Sequence, residues 1–321
     1  MTDLLRFKLL GSSTRFQAAL TQIQKIARVD ATVLIEGETG TGKELAARAI
    51  HYLGARRDHP FIPVNCGALA ESLLESELFG HERGAFTDAK AATPGLVSQA
   101  DGGTLFLDEV DALSLKAQAA MLRFLQDRSY RRVGGGQTRL ADVRVVVATN
   151  ASLEKQVASH HFRRDLLYRL NVLTLRMPAL RERGEDAVEL AGSFLARFSQ
   201  QYRLPPKLLH PDFTAFIEQY DWPGNVRELE NVMHRAFLMC EGKQLHLDAL
   251  DQHGLASAEQ AASFKDAKAR AIAQFERRYV HGLMQLSQGN ITQAARMAGQ
   301  DRSAFGKLVR KHGLGTLTVA E

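Results

Sequence analysis

The chain has 321 residues, 45% of them hydrophobic and 24% charged, a composition typical of a folded protein with two or three domains. No apolar run approaches the ~18 residues of a membrane span, and the N-terminus lacks the apolar core of a signal peptide. Cys66 and Cys240 are far apart in the sequence and indicate neither a disulfide framework nor a metal site. We therefore expect a cytoplasmic protein without a membrane partner. The excess of 41 Lys and Arg over 36 Asp and Glu is only weak support for a polyanionic partner.

The first chemical signal follows a predicted amphipathic helix over residues 11–28. Val33–Ile35 is a β-branched apolar run, a glycine-rich turn follows it, and Glu44–Leu53 has the composition of a helix. Glycines in this position let backbone N–H groups surround a triphosphate, and Lys43 reaches its outer phosphates. The predicted nucleotide-binding residues of this loop are Gly37, Glu38, Thr39, Gly40, Thr41, Gly42, Lys43 and Glu44.

The next segment combines regular elements with an irregular one. Phe61–Asn65 is a predicted strand that ends in a polar residue, and 69–78 has helical spacing. Residues 79–89 contain two glycines and two phenylalanines among charges and follow no period, so we expect an exposed loop. Its two phenylalanines either pack back on the protein or contact a partner.

Paired carboxylates follow a continuous apolar strand at Gly103–Glu109. A buried parallel strand delivers such residues to the carboxyl edge of its sheet. Asp108 is predicted to hold Mg²⁺ and Glu109 to orient and deprotonate the attacking water. A solvated acidic turn is the alternative, and Asp111 competes for the acidic role.

A helix over 113–126 and a basic, glycine-rich hairpin or loop over 130–136 lead to another apolar strand at 143–148. Asn150 follows that strand, where its amide can reach the γ-phosphate or the water. The segment 160–170 then carries three arginines, Arg163, Arg164 and Arg169, which form either a solvated face or a catalytic surface between subunits.

From residue 182 onwards the patterns are helical, at 187–202, 211–220 and 225–240. We expect Asn225 to cap the last of these helices. Arg227 in its first turn opposes the helix dipole, so we expect it to face an anion or an acidic partner.

The C-terminal region differs from the rest in charge. After a linker at 254–264, residues 265–311 hold ten Lys and Arg against three Asp and Glu. Two helical patterns separated by Gly299–Asp301 predict a helix-turn-helix, with a basic helical hairpin without a DNA role as the alternative. The predicted DNA-binding residues are Arg302, Ser303, Lys307, Arg310 and Lys311.

Taken in order, these motifs resemble the NtrC-type AAA+ activators of sigma-54 RNA polymerase, the bacterial enhancer-binding proteins. The stretches that carry the resemblance are Gly37–Glu44, Glu77–Thr87, Gly102–Glu109, Phe162–Leu170 and Trp222–Leu229. The resemblance implies an α/β P-loop NTPase core, an all-α lid and a Fis-type helix-turn-helix. We therefore divide the chain into a tail at 1–10, an ATPase subdomain at 11–181, a lid at 182–253, the linker and a DNA-binding domain at 265–321.

The same resemblance implies roles for single residues. Asn65 is the switch residue that holds Glu109, Asn150 lies at sensor I and Arg227 at sensor II. Arg163 and Arg169 are arginine fingers that reach the nucleotide of a neighbouring subunit in a hexameric ring. The sigma-54 contact loop is Gly84, Ala85, Phe86, Thr87, Asp88 and Ala89.

The resemblance thus implies an ATP- and Mg²⁺-dependent activator that binds upstream double-stranded DNA and remodels the closed complex of sigma-54 RNA polymerase. One departure is Asp88, because the family has glycine there. A DNA-binding regulator that no longer remodels sigma-54 is therefore the alternative, and an AAA+ DNA motor is a third reading. As in phage-shock activators, we expect no N-terminal sensory domain, so that control comes from a separate regulatory protein, from the expression level or from a domain outside this sequence.

Overall fold

The computed structural model describes residues 7–68, 71–86, 89–247 and 289–311, together with positions 276, 279, 280, 283, 284 and 287. It has two compact units, Met1–Ala249 and Leu250–Glu321. Thr87 and Asp88 of the predicted contact loop, the linker 254–264 and residues 265–275 lie outside the described residues.

Eleven strands occur in the described part of the first unit. In chain order they are β1 (Val33–Glu36), β2 (Phe61–Asn65), β3 (Gly80–His81), β4 (Thr93–Pro94), β5 (Thr104–Asp108), β6 (Ser129–Arg131), β7 (Thr138–Leu140), β8 (Arg144–Thr149), β9 (Leu173–Arg176), β10 (Leu208–Leu209) and β11 (Gln244–Leu245). The main sheet is parallel, with the order β2-β5-β8-β1-β9.

The described α-helices follow the same numbering. They are α1 (Thr14–Ala27), α2 (Lys43–Tyr52), α3 (Glu71–Phe79), α4 (Leu96–Gln99), α5 (Leu115–Asp127), α6 (Leu153–Ala158), α7 (Arg164–Leu170), α8 (Asp186–Tyr202), α9 (Pro211–Gln219), α10 (Asn225–Met239), α11 (Ile291–Met297) and α12 (Arg302–Lys311). Short 3-10 turns follow β2, β5 and β9.

Helices cover both faces of the main sheet, and the alternation of strand side chains explains how. Val33 and Ile35 of β1 pack with α1 and α2 in one apolar cluster, whereas Leu34 between them packs with α3 and α5 in another. Successive strand side chains point to opposite faces, so the central strands need apolar residues at every position. The near-continuous apolar runs of the sequence have this cause.

Three local features differ from the sequence expectations. Phe79 is not part of an exposed loop, because it ends α3 and is buried. The helical region after residue 182 also contains a short parallel pairing of β10 with β11. Asn225 does not cap α10: Gly224 occupies the cap, and Asn225 has φ 52°.

The described part of the second unit contains the two helices of the predicted helix-turn-helix. Asn290 caps α11 by accepting hydrogen bonds from the N–H groups of Thr292 and Gln293. Gly299, with φ 63°, lies in the turn. Phe305 and Val309 of α12 are buried against α11 and residues 280 and 284, so the opposite side of α12 faces solvent.

Candidate nucleotide site and the surfaces around it

The polar ends of the central strands lie together at one edge of the main sheet. Asn65 is paired in register with Asp108, and Glu36 with Thr149. The loop Gly37–Lys43, here called the phosphate loop, leaves β1 at this edge. Because all these strands are parallel, four separate segments of the sequence supply one site.

Two glycines shape the phosphate loop. Gly40 and Gly42 have φ 80° and 94°, which disfavours any residue with a side chain. A Cβ on Gly40 would lie 2.2 Å from the carbonyl oxygen of Gly224, so glycine is required there for a second reason. Gly42 caps α2, and the free N–H groups of that helix start at the loop.

Lys43 lies at the first position of α2 and is buried. Its ammonium group donates hydrogen bonds to the carbonyl oxygens of Gly37 (2.8 Å) and Glu38 (3.1 Å). Burial lowers the pKa of Lys43, while the charges of Asp108 and Glu109 act in the opposite direction. The three side chains therefore share one electrostatic environment, in which a cation and two carboxylates face the same space.

Glu109 follows β5 in a left-handed conformation, with φ 55° and ψ 49°. This geometry is uncommon for a residue other than glycine and is found preferentially at functional sites. Its N–H donates to the Asp108 carboxylate at 3.0 Å. This bond orients the Asp108 carboxylate.

Asn65 and Glu109 converge on Gly67. A Cβ on Gly67 would lie 2.2 Å from Glu109 Oε2 and 3.4 Å from Asn65 Oδ1. The Asn65 side chain accepts a hydrogen bond from the N–H of Ala68 at 3.0 Å. Buried Cys66 lies beside them, and burial, with the nearby carboxylates, raises the pKa of its thiol to about 12, which suppresses the nucleophilic thiolate form.

The end of β8 connects two parts of the site. Thr149 Oγ1 donates to the Asp111 carboxylate at 2.7 Å, and the Asn150 amide donates to Thr39 of the phosphate loop at 3.0 Å. Asp111, the alternative acidic residue, is thus engaged by a buried threonine. Asn150 therefore reaches the phosphate loop through Thr39.

The lid contacts the phosphate loop through a set of polar bonds that sequence reasoning missed. Asn225 donates to the Thr39 carbonyl oxygen (2.9 Å) and to Glu38 (3.2 Å), and its own oxygen accepts from the N–H of Leu180 (2.8 Å). Arg181 pairs with Glu38, and this bond chiefly lowers the pKa of Glu38 to about 2. The residue type at position 225 was the available sequence signal, since Asn tolerates the positive φ of 52° that the structure shows there.

Two further lid contacts involve the backbone of the loop. The N–H of Val226 donates to the Gly40 carbonyl oxygen at 3.1 Å. A Cβ on Gly40 would lie 3.1 Å from Arg227 Cβ, and the Arg227 charge also acts to lower the pKa of Lys43. Arg227 therefore lies beside the phosphate loop, where it can face an anion as its charge predicts.

The three arginines of the segment 160–170 lie at the surface. Arg163 precedes α7, and its guanidinium group binds the Asp165 carboxylate through two contacts of 3.0 and 2.7 Å. Arg164 and Arg169 are exposed. Tyr168 between them is also exposed and lines an open groove with Phe162 and the arginines at positions 163 and 164.

The predicted contact loop begins at a short strand pair, β3 with β4. Gly84 has φ 82°, and its N–H donates to the Ala89 carbonyl oxygen at 2.8 Å, which closes the loop. Phe86 is 38% exposed and its ring lies 5.0 Å from that of His81. The loop rests on the β6–β7 hairpin through the Glu82–Arg132 ion pair.

All five predicted DNA-binding residues are exposed. Ser303, Lys307, Arg310 and Lys311 lie away from the buried Phe305 and Val309, whereas Arg302 is at the first position of α12. Two of them have partners in the same unit, since Arg310 donates to the Gly306 carbonyl oxygen and Lys311 pairs with Glu276. The surface of α12 is therefore basic and accessible within the described part of this unit.

No helix in the described residues is both long and apolar enough to cross a membrane. The central parallel sheet, the phosphate loop, the paired carboxylates and the helical lid define the class of the protein as a P-loop NTPase of the AAA+ type.

Comparisons with known proteins give the family. Residues 9–176 match the sigma-54 interaction domain, and residues 181–268 match the AAA+ ATPase lid domain. The chain belongs to this family. It is therefore a sigma-54-dependent transcriptional activator with an AAA+ ATPase domain.

Individual relatives agree. The chain is 44% identical over 303 residues to the transcriptional regulatory protein ZraR of Salmonella typhimurium, covering 94% of this chain and 68% of that protein. It is 44% identical to the alginate biosynthesis regulator AlgB of Pseudomonas aeruginosa, covering 94% and 67%. The crystal structure of NtrX from Brucella abortus in complex with ATP has a TM-score of 0.76 at 30% identity, covering 95% of this chain and 69% of that one.

Proposed function

We propose that this chain binds upstream DNA, assembles into a hexameric ring and uses ATP hydrolysis between its subunits to remodel the closed complex of sigma-54 RNA polymerase. The observation that carries the proposal is the convergence of Lys43, Asp108, Glu109 and Asn150 at one edge of the sheet. They follow three different strands, β1, β5 and β8, and each supplies a group that ATP hydrolysis requires.

Within the site, Lys43 binds the outer phosphates and the glycines of the phosphate loop let backbone N–H groups approach them. Asp108 is an oxygen ligand of the kind that Mg²⁺ prefers, and its direction is fixed by the turn at Glu109, so the residues fit a magnesium-nucleotide complex. When bound, Mg²⁺ neutralises charge on the phosphate oxygens. Glu109 orients the water and takes its proton, and Asn65, which converges with it on Gly67, controls its position.

Completion of the site in trans is the second part of the proposal. Arg163 and Arg169 are exposed at α7, and Arg163 binds Asp165 of its own chain. A cation that stabilises charge in the transition state is worth roughly 10³-fold or more in rate. We assign this role to Arg163 and Arg169 of the neighbouring subunit.

Coupling to the polymerase is assigned to the loop at 84–89. Phe86 is partly exposed, although Phe79 at the base of the loop is buried, which supports Phe86 as the contact residue. Arg132 on the adjacent hairpin holds the base of the loop through Glu82. A shift in these supports with nucleotide state would move Phe86 relative to the sheet.

DNA binding is assigned to α12. Its exposed basic residues, with Arg302 at the first position of the helix, Lys307 near its middle and Arg310 near its end, suit the negative charge of a DNA groove. Binding at an upstream site would tether the ring near the promoter and raise its local concentration.

Mixing of two inactive variants tests shared sites. Lys43→Ala removes nucleotide binding but keeps both arginines. Arg169→Ala removes one arginine but keeps nucleotide binding. Each variant alone should lose nearly all ATP hydrolysis, whereas a mixture should recover part of it because some interfaces combine intact halves. The control is Lys43→Ala/Arg169→Ala mixed with Arg169→Ala, which contains no complete interface. Equal activity in the two mixtures would contradict a site shared between subunits.

Open-complex formation at a sigma-54 promoter separates remodelling from its alternative. The proposal requires ATP-dependent opening that is lost in Phe86→Ala while ATP hydrolysis persists. Hydrolysis without opening in the unchanged chain, together with a large gain on Asp88→Gly, would instead favour a DNA-binding regulator impaired at the contact loop. ATP-driven translocation on promoter-free DNA would favour a motor.

A further inference from the structure

A second cluster of chemically active side chains lies in the lid. Among the residues that the structure describes, one group of three brings imidazole and carboxylate atoms within 4.8 Å of one another: His210, Asp212 and His246. None of them belongs to the phosphate loop or to the predicted DNA-binding helix. We propose that these three residues form a binding site for one divalent transition metal ion of the Zn²⁺ type.

The chain fold holds the two histidines side by side. Leu209 of β10 is paired with Leu245 of β11, so the next residue of each strand, His210 and His246, leaves the pairing together. The N–H of His210 also donates to the Leu245 carbonyl oxygen at 3.0 Å. The two imidazole rings consequently lie with centroids 4.1 Å apart.

The Asp212 carboxylate lies beside the Nδ1 atoms of both histidines. Asp212 Oδ1 is 2.7 Å from His210 Nδ1, and Asp212 Oδ2 is 3.9 Å from His246 Nδ1. The start of α9 fixes Asp212, because Pro211 begins the helix and His210 is its cap. Both carboxylate oxygens thus face a ring nitrogen, each from a different histidine.

The donor set selects the type of ion. Two imidazole nitrogens and one carboxylate oxygen, with a fourth position left for water, are a common zinc ligand set. Ligand bonds of about 2.1 Å place neighbouring tetrahedral ligand atoms ~3.4 Å apart. This separation lies between the distances from the Asp212 oxygens to His210 Nδ1 (2.7 Å) and to His246 Nδ1 (3.9 Å). All three residues are partly or fully exposed, so their side chains can adjust by the small remaining difference. Mg²⁺ and Ca²⁺ prefer oxygen ligands and fit less well.

Such an ion would join two parts of the lid that are distant in the sequence. His210 and Asp212 belong to the start of α9, whereas His246 follows β11 close to the end of the first unit at Ala249. The β10–β11 pairing has only two residues in each strand, so it is a short connection. The bound ion would reinforce this connection.

The test measures Zn²⁺ binding to the full chain, stripped of metal and free of nucleotide, in competition with a chromophoric chelator. We expect one Zn²⁺ per chain at this site. His246→Ala and Asp212→Asn should each weaken binding at least ~10-fold, since loss of even an outer-shell partner of a metal site costs that much. Mg²⁺ and Ca²⁺ in excess should not displace the ion.

A matched control is His161→Ala, which removes another exposed histidine of the first unit that bonds to Ser159. It should bind Zn²⁺ as the unchanged chain does. Folding of each variant is checked by the emission of Trp222, which is buried in the lid. Folded His246→Ala or Asp212→Asn protein with unchanged Zn²⁺ affinity would overturn the proposal, as would an equal loss in His161→Ala.

Discussion

Asn225 offers the sharpest prediction about how the lid and the phosphate loop are held together. Its side chain makes hydrogen bonds to the backbone of Leu180 and Thr39 and to the carboxylate of Glu38. In Asn225→Ala the buried N–H of Leu180 loses its partner, which costs about 1–3 kcal/mol, and the two donated bonds contribute about 0.5–1.5 kcal/mol each. Alanine at φ 52° adds roughly 1 kcal/mol.

Asn225→Gly separates the side-chain bonds from the backbone conformation. Glycine adopts the positive φ without strain but loses the same bonds, and its freer unfolded chain costs about 0.4–1 kcal/mol. We therefore expect both variants to be destabilised by about 3 kcal/mol or more, with a small difference between them, and both to hydrolyse ATP more slowly.

Urea unfolding followed by Trp222 emission measures this directly. The chain has one tryptophan, and it lies buried three residues before Asn225, with its indole N–H bonded to the Ile217 carbonyl oxygen. Its emission therefore reports the lid. A wild-type unfolding midpoint for Asn225→Gly would refute the reasoning, because it would mean that the side-chain bonds contribute nothing.

Three further predictions concern single groups. Glu109→Gln should lower ATP hydrolysis by ~10²-fold or more and leave nucleotide binding intact, as hydrolysis assays and nucleotide titration would show. The pKa of Glu38 is lowered to about 2 from 4.5, so its bond to Arg181 stabilises the fold fully above pH 4.5 and is lost as pH falls through 2. The pair is well exposed, so this contribution is only ~1 kcal/mol; Arg181→Ala should flatten the stability change over that pH range in Trp222-monitored unfolding. Lys307→Ala should reduce the salt dependence of DNA binding by a slope of ~1, measured by titration at several salt concentrations.

The places of the candidate site residues could be predicted from the sequence where they follow from position along a strand. Asp108 and Asn150 come directly after, or at the end of, apolar runs, and parallel strands bring such positions together. The order of the strands in the sheet could not be predicted in this way. β1 lies between β8 and β9, and no local pattern specifies which strands are neighbours. The assignment of Phe79 to the loop was wrong for a related reason: one aromatic residue at the end of a helix carries no period that shows whether it belongs to the helix, and of the two alternatives for its side chain the buried one holds.

Contacts between distant segments could not be read from local patterns. The bonds from Asn225 to the phosphate loop join residues 186 or more positions apart, and the β10–β11 pairing rests on two residues per strand. Charge and periodicity describe neighbours within about one helical turn. They therefore predicted an anion near Arg227, but not the lid contacts that place it beside the phosphate loop.

The position of Arg163 has a consequence for how hydrolysis would be controlled. In a single chain its guanidinium group is bound by Asp165, while Lys43 lies in a site shaped by its own loop and lid. If Arg163 serves a neighbouring subunit, assembly must exchange the Asp165 contact for one with the nucleotide. An exposed ion pair contributes little to stability, whereas a finger contributes roughly 10³-fold in rate. Release from Asp165 is therefore a small barrier, and subunit concentration, more than this ion pair, would determine when hydrolysis begins.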